Sequence, residues 1–158
     1  MAISRGAGTE IIRSAHFKLA TGGPVGPHVL IYGEQHHIYT VLSIICYCSY
    51  TAVTNANDEL MCEIQGYDSY GGTSNQAIGI FTTAEAQVFG RDTYVWNDKF
   101  SFNGREPTDF TGPMDSATKQ DAIADQGNSS VSQRLQVEKG HANDTWDITV
   151  TYIDQNNA

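Results

Sequence analysis

The clearest alternation of apolar and polar residues lies near the end of the chain, in the segment Asp144 to Gln155. Its apolar members Trp146, Ile148, Val150 and Tyr152 are separated by Asp147, Thr149, Thr151 and Ile153. A period of two residues places alternate side chains on opposite faces of a β-strand. The pattern therefore predicts a long strand here.

The segment His37 to Tyr50 is also predicted to be a strand, but with two apolar faces. One face would hold Ile38, Thr40, Leu42, Ile44, Cys46 and Cys48, and the other Tyr39, Val41, Ser43, Ile45 and Tyr47. This composition is typical of a central strand covered on both sides. A strand of this length would span about 45 Å, more than twice the usual value. We therefore expect it either to bend at a bulge and serve two sheets or to pair outside the domain.

Shorter patterns predict the remaining elements. Strands are expected over 8–19, 28–33, 59–70, 76–83, 86–104 and 130–140, with turns at 54–58, 71–75, Asn97-Asp98 and Asn103-Gly104. The strand at 59–70 is interpreted as the return strand of a hairpin. Residues 105–114 have loop composition, and Asp115 to Gly127 is the one helix candidate, with a polar N-cap and a terminal glycine.

These elements predict an all-β protein, an antiparallel β-sandwich of jelly-roll type with one short helix in a long loop. The 158 residues fit one domain. We expect a flexible N-terminal arm over residues 1–8 and a single sandwich domain over residues 9–158.

Charge and composition narrow the choice of partners. The formal net charge of −9 opposes binding to nucleic acid or anionic lipid. No segment has the apolar core of a signal peptide or the length of a membrane span, so we expect synthesis and retention in a cytoplasm.

The cysteines and histidines give little indication of a disulfide bond or a metal site. Three cysteines without a secretion signal, Cys46, Cys48 and Cys62, are expected to be reduced and buried. Together with His28, His36 and His37 they offer zinc-ligating atoms, but CxxC and HxxxH spacings are missing, and adjacent strand residues point to opposite faces. We therefore expect neither a metal nor a cofactor.

Two other groups have alternative interpretations. Asp121 and Asp125 stand at helical i,i+4 spacing, which suits a solvated helix face better than a hydrolase or cation site. The aromatic residues Tyr94, Trp96, Phe100 and Phe102 suit core packing better than a sugar-binding platform. No residue is predicted to be catalytic.

Several segments resemble small virion structural proteins of tailed bacteriophages, particularly marine and cyanobacterial ones. They are "MAISRGAGTEIIRSAHF", "GEQHHIYTVLSII", "NDKFSFNG", "KQDAIADQG" and "TYIDQNNA". The resemblance covers the general pattern of most of the chain and implies a role as a capsid decoration, or cement, protein on the exterior of a virion made in a host cytoplasm.

From the sequence we therefore expect a non-enzymatic decoration protein. We also expect it to be a homotrimer that binds the major capsid protein through many modest contacts. Its contact residues are predicted to be Ile3, Arg5, Ile11, Ile12 and Arg13. Two alternatives stay open: a tail or fibre component that binds host glycans, and a small cupin-like enzyme, against which the HH spacing counts.

Overall fold

A computed structural model describes residues 10–51, 59–69, 73–83, 90–107 and 130–156. This part of the chain forms eleven strands. They are β1 (Glu10–Leu19), β2 (His28–Tyr32), β3 (His37–Tyr50), β4 (Leu60–Ser69), β5 (Thr73–Thr82), β6 (Thr93–Trp96), β7 (Phe100–Asn103), β8 (Arg105–Pro107), β9 (Ser130–Ser132), β10 (Arg134–Lys139) and β11 (Thr145–Asn156).

The strands form two main antiparallel sheets and one short pair. The first sheet has the order β1-β11-β3-β6, and β7 also pairs with β3. The second sheet has the order β2-β10-β4-β5, and β8 pairs with β9. The described residues contain no helix, and the expected helix at Asp115 to Gly127 lies outside them, as do the expected arm at residues 1–8 and Asp121 and Asp125.

The strand order identifies a jelly roll. β1 pairs with β11, β2 with β10, β3 with β6 and β7, and β4 with β5, so each pair encloses the next along the chain. Rolling this nested ribbon brings β11 beside β3 and β10 beside β4, which closes two sheets. The predicted all-β antiparallel sandwich is confirmed.

The core lies between the two sheets. Trp146, Ile148 and Val150 of β11 are fully buried, as the alternation in that segment predicts. Leu135 and Val137 come from the second sheet and belong to the same apolar cluster. Contact between the inner faces of the two sheets therefore supplies the hydrophobic stabilisation of the fold.

A bulge in β3 changes the predicted assignment of its faces. The pairing with β11 runs from Ser43 opposite Thr151 directly to Val41 opposite Tyr152, which leaves Leu42 as the extra residue. Tyr39 and Val41 are consequently buried on the same side as three residues of the other parity, Ile44, Cys46 and Cys48. The single alternation predicted for this strand was wrong. The bulge itself is present, as the first of the two predicted alternatives for β3 required.

β3 also stays within one sheet. Its first half pairs with β7 and its second half with β6, while β11 runs along the other side. Ile45 and Tyr47 are 40% and 37% exposed, so the second face meets solvent. The expectations that β3 serves two sheets and is covered on both sides were wrong.

Two further sequence assignments are corrected by the pairing. β4 does not return along β3 as a hairpin but joins the other sheet, between β10 and β5. β5 begins at Thr73, inside the predicted turn, and residues 105–107 of the predicted loop form β8. The strand pattern was correct for Leu60, Cys62 and Ile64, which are buried.

Glycine is required where three chain segments meet. A Cβ at Gly33 would clash with the carbonyl oxygens of Gly104 and Gln133. Gly33 N donates to Gln133 O at 2.8 Å, and Gln133 N donates to Gly104 O at 3.0 Å. These bonds replace sheet pairing at the ends of β2, β7 and β9, because backbone polar groups at a close approach need partners.

Candidate functional site: the β1 edge and the polar pocket beside it

β1 is the outer strand of the first sheet. Among the described residues it pairs only with β11, over ten consecutive positions from Glu10 opposite Gln155 to Leu19 opposite Trp146, without a register shift. Its other edge therefore presents backbone N–H and C=O groups that no described strand pairs.

The predicted contact residues within the described range lie on this strand. Ile11 is 45% exposed and Ile12 is 70% exposed. Arg13 is also exposed, whereas Ile3 and Arg5 lie outside the described residues. The first half of β1 is thus exposed on both of its faces, unlike Leu19 at its other end, which is buried.

A charged network links β1 to the start of β3. Arg13 Nε donates to Asp154 Oδ2 at 2.9 Å. His37 Nδ1 lies 2.6 Å from Asp154 Oδ1 and must carry the proton of this bond, because a carboxylate only accepts. Glu34 Oε2 is 3.8 Å from the other ring nitrogen of His37. Asp154 therefore joins three strands, β1, β11 and β3.

The network lines a polar pocket of about 240 Å³, to which β2 contributes Leu30, Ile31 and Tyr32. Tyr39 contributes its hydroxyl, which accepts from Glu34 N at 3.2 Å, and burial raises the pKa of Tyr39 to about 12. Burial also raises the pKa of Tyr152. Both phenols are therefore neutral near pH 7, so the pocket combines two neutral hydroxyls with the Arg13 guanidinium and the carboxylates of Asp154 and Glu34.

Asp154 is the residue of this site that the sequence interpretation missed. It continues the inward series Trp146, Ile148, Val150 and Tyr152, and its side chain is only 10% exposed. A carboxylate on the core face of a strand needs a charged or hydrogen-bonding partner. That position in the alternation was the available signal.

The histidine pair lies at the entry to β3. His37 is its first residue, and His36 lies in the preceding turn with φ 65°. Within the described ranges, no three His, Cys, Asp or Glu residues are placed to hold a metal ion. The expected strand-entry position of the histidines is correct.

All three cysteines are buried and none forms a disulfide bond, as expected. Burial raises the pKa of Cys46 to about 12 and raises that of Cys62 as well. The thiolate is the reactive form, so these two residues are poor nucleophiles near neutral pH.

The aromatic residues of β6 and β7 pack against the core. Phe102 is 3% exposed, and Tyr94, Trp96 and Phe100 are partly buried against the apolar cluster. Trp96 stacks on Phe81 at a centroid distance of 5.5 Å, beside an apolar cavity of about 200 Å³. Core packing, the favoured interpretation of these residues, is thus confirmed.

No family model matches the chain, and no curated protein matches it in sequence. Among solved structures it is similar to the STIV MCP, with 12% identity and a TM-score of 0.36 over 91% of this chain, and it spans only 41% of that protein. It is also similar to the decameric BFDV capsid protein, with 9% identity and a TM-score of 0.29, covering 93% of this chain and 97% of that one.

The strand order, in which each pair of strands encloses the next, defines the jelly roll independently of these matches. In the described part of the chain, no helix has the length and apolarity needed to cross a membrane.

Proposed function

We propose that the chain is a non-enzymatic virion structural protein that decorates and stabilises a capsid shell. The observation that carries this proposal is the outer edge of β1. This strand is ten residues long, pairs with β11 in a regular register and carries two exposed isoleucines, Ile11 and Ile12. Unpaired strand edges bind other chains through backbone hydrogen bonds, and adjacent apolar side chains add buried area.

Comparison with the other edge strands supports a special role for β1. β2, β6 and β7 are short edges of five or four residues. β5 matches β1 in length, but its pairing with β4 has three register shifts. Short strands and bulges protect an edge from pairing with other chains, and β1 has neither.

The jelly roll supports the proposal in a second, weaker way. This architecture is used by capsid domains, lectins and cupins, so it is compatible with a shell protein without selecting one. The resemblance of the sequence to phage virion proteins favours a capsid role over a lectin or a cupin. The net charge of −9 keeps free copies soluble and away from a packaged genome.

The finer proposal is a cement protein on the capsid exterior, made in a host cytoplasm, with the major capsid protein and other copies of itself as partners. A homotrimer is the proposed oligomer. Many copies on one shell would gain from multivalency, so each β1 contact can be modest.

Cryo-EM of virions tests this role directly. We expect density for the sandwich on the outer shell, with β1 at a protein contact. Location on the tail, or absence from the particle, would overturn the proposal.

A binding assay with undecorated shells tests the residue assignment. Ile12→Asp on β1 should abolish binding, whereas the matched control Ile45→Asp, on the exposed face of β3, should retain it. Equal binding by both variants would exclude β1 as the contact.

A further inference from the structure

We infer that β1 pairs antiparallel with β1 of a second copy, across a two-fold axis at Ser14. The inference rests on the proposed function and assigns the β1 edge to a second copy of the chain. Ile12→Asp would then lose shell binding because it breaks the link between copies, which gives up their multivalency. The first sheets of the two copies would then become one continuous sheet.

The faces of β1 restrict the registers that allow such a sheet. Its inner face carries Ile11, Arg13, Ala15, Phe17 and Leu19, because Ala15, Phe17 and Leu19 lie opposite the buried Val150, Ile148 and Trp146. Glu10, Ile12, Ser14, His16 and Lys18 form the outer face. A two-fold axis perpendicular to the sheet keeps inner faces together only if it passes through a residue rather than between two residues.

The register centred on Ser14 pairs complementary side chains. It places Glu10 of each copy opposite Lys18 of the other, so two opposite-charge pairs form on the outer face. On the inner face it places Ile11 opposite Phe17. Directly opposed residues in an antiparallel pair are close enough for both kinds of contact.

Neighbouring registers are less favourable. A centre at Arg13 puts the two arginines opposite each other, and like charges in this position destabilise a pair. Of the described residues, a centre at Ile12 pairs only residues 10–14, and it sets Ile11 against Arg13. A centre at Ala15 sets Ile12 against Lys18 and leaves Glu10 beyond the strand pair.

Charge also favours β1 over the rest of the surface as the place where two acidic copies meet. The chain carries −9, whereas β1 contains Arg13 and Lys18 against Glu10 alone. Two β1 strands therefore meet with less like-charge repulsion than an average segment of this acidic chain would produce.

Cysteine cross-linking of the purified protein tests the register. Ser14→Cys brings two thiols together at the axis, where Cβ atoms of opposed residues lie about 4.5–5.5 Å apart. We expect oxidation to cross-link Ser14→Cys at least several-fold more than either matched control, Ile12→Cys or His16→Cys. A mixture of the two controls should cross-link with each other, because residue 12 lies opposite residue 16.

The native protein serves as the blank, since its three cysteines are buried. No preference for Ser14→Cys, or a preference for Ile12→Cys alone, would overturn the inference. Circular dichroism checks that each variant is folded.

Charge reversal provides an independent test that uses no thiol. Glu10→Lys and Lys18→Glu should each weaken self-association about five-fold or more, and the double variant should recover it. Recovery is expected only if the two residues face each other. Lack of recovery would contradict the Ser14 register.

Light scattering measures how many chains associate in solution and so tests the two-fold pair. A mass of six chains supports this pair between the proposed trimers, and a mass of two supports the pair but contradicts the proposed homotrimer. A mass of one or three at high concentration contradicts the pair. Protein that cross-links at Ser14 but is missing from virions would retain this inference and lose the proposed function, and the converse result would do the opposite.

Discussion

β1 and β5 are both ten-residue edge strands, one in each sheet, but they differ in regularity. β1 follows β11 through ten matched positions, whereas β5 changes register against β4 at three places. Bulges twist an edge and displace its free hydrogen-bonding groups from a straight line. The strand order therefore makes both β1 and β5 edge strands. Only β1 is regular enough for another chain to pair with it through backbone hydrogen bonds.

The two strands are also held to the sandwich differently. Phe81 of β5 stacks on Trp96 of β6, which belongs to the other sheet. The exposed half of β1 is instead joined to β11 by polar side chains: Arg13 to Asp154, and Ser14 to Thr151 at 3.2 Å. Polar attachment at the surface leaves the isoleucines of β1 outside the core.

The largest predicted effect is the loss of stability when a buried isoleucine of the β1–β11 pair is replaced by alanine, compared with an exposed one. Ile148→Ala removes a fully buried side chain, and Ile12→Ala one that is 70% exposed. We expect Ile148→Ala to lower the free energy of unfolding by about 2–5 kcal/mol, because it leaves a cavity. Ile12→Ala should change it by less than about 0.5 kcal/mol.

Urea unfolding followed by tryptophan fluorescence measures both changes. A large loss of stability in Ile12→Ala would show that this side chain serves the fold, and would remove the contrast on which the assembly role of β1 depends.

The second prediction concerns the polar attachment of β1. Asp154→Asn keeps the shape of the side chain but removes the charge that Arg13 and His37 share. We expect a loss of about 1.5–3 kcal/mol, the usual range for hydrogen bonds to a charged group in a mostly buried position. Amide exchange should accelerate in the first half of β1, measured by mass spectrometry.

Arg13→Ala is the matched control for this change. The Arg13 side chain is 49% exposed, so solvent screens its ion pair and the loss should be below about 1 kcal/mol. Equal effects of the two variants, or unchanged exchange in β1, would mean that Asp154 does not hold this strand.

The alternation of residues was sufficient to predict most strands and the sandwich. It could not locate the change of face in β3, because apolar residues stand on both sides of Leu42 and either parity looks suitable for the core. It also could not assign β4 to a sheet, since the period of a strand carries no information about its neighbours. Pairing partners are set by the whole nested ribbon.

The candidate site was also predictable only in part, because a local sequence pattern shows which residues lie on a strand but not which distant residues they contact. Ile11, Ile12 and Arg13 were recognisable as an apolar and cationic group on a strand near the start of the chain. The attachment of Arg13 to Asp154 was not, because the two residues are 141 positions apart. Only the closure of β11 onto β1 brings them together.

The smallest predicted effect tests the irregular edge itself. Gly79 lies in β5, and a Cβ added there meets no atom within 4 Å. Because its φ is not positive, Gly79→Thr should be tolerated and should raise the free energy of unfolding by up to about 1 kcal/mol, through lower chain entropy and better strand propensity. Gly33→Ala is the opposite control, since its Cβ would clash with two carbonyl oxygens. If Gly79→Thr destabilised the protein, β5 would require the freedom of glycine at this position, and its irregular pairing with β4 would be a constraint of the fold rather than protection of an edge.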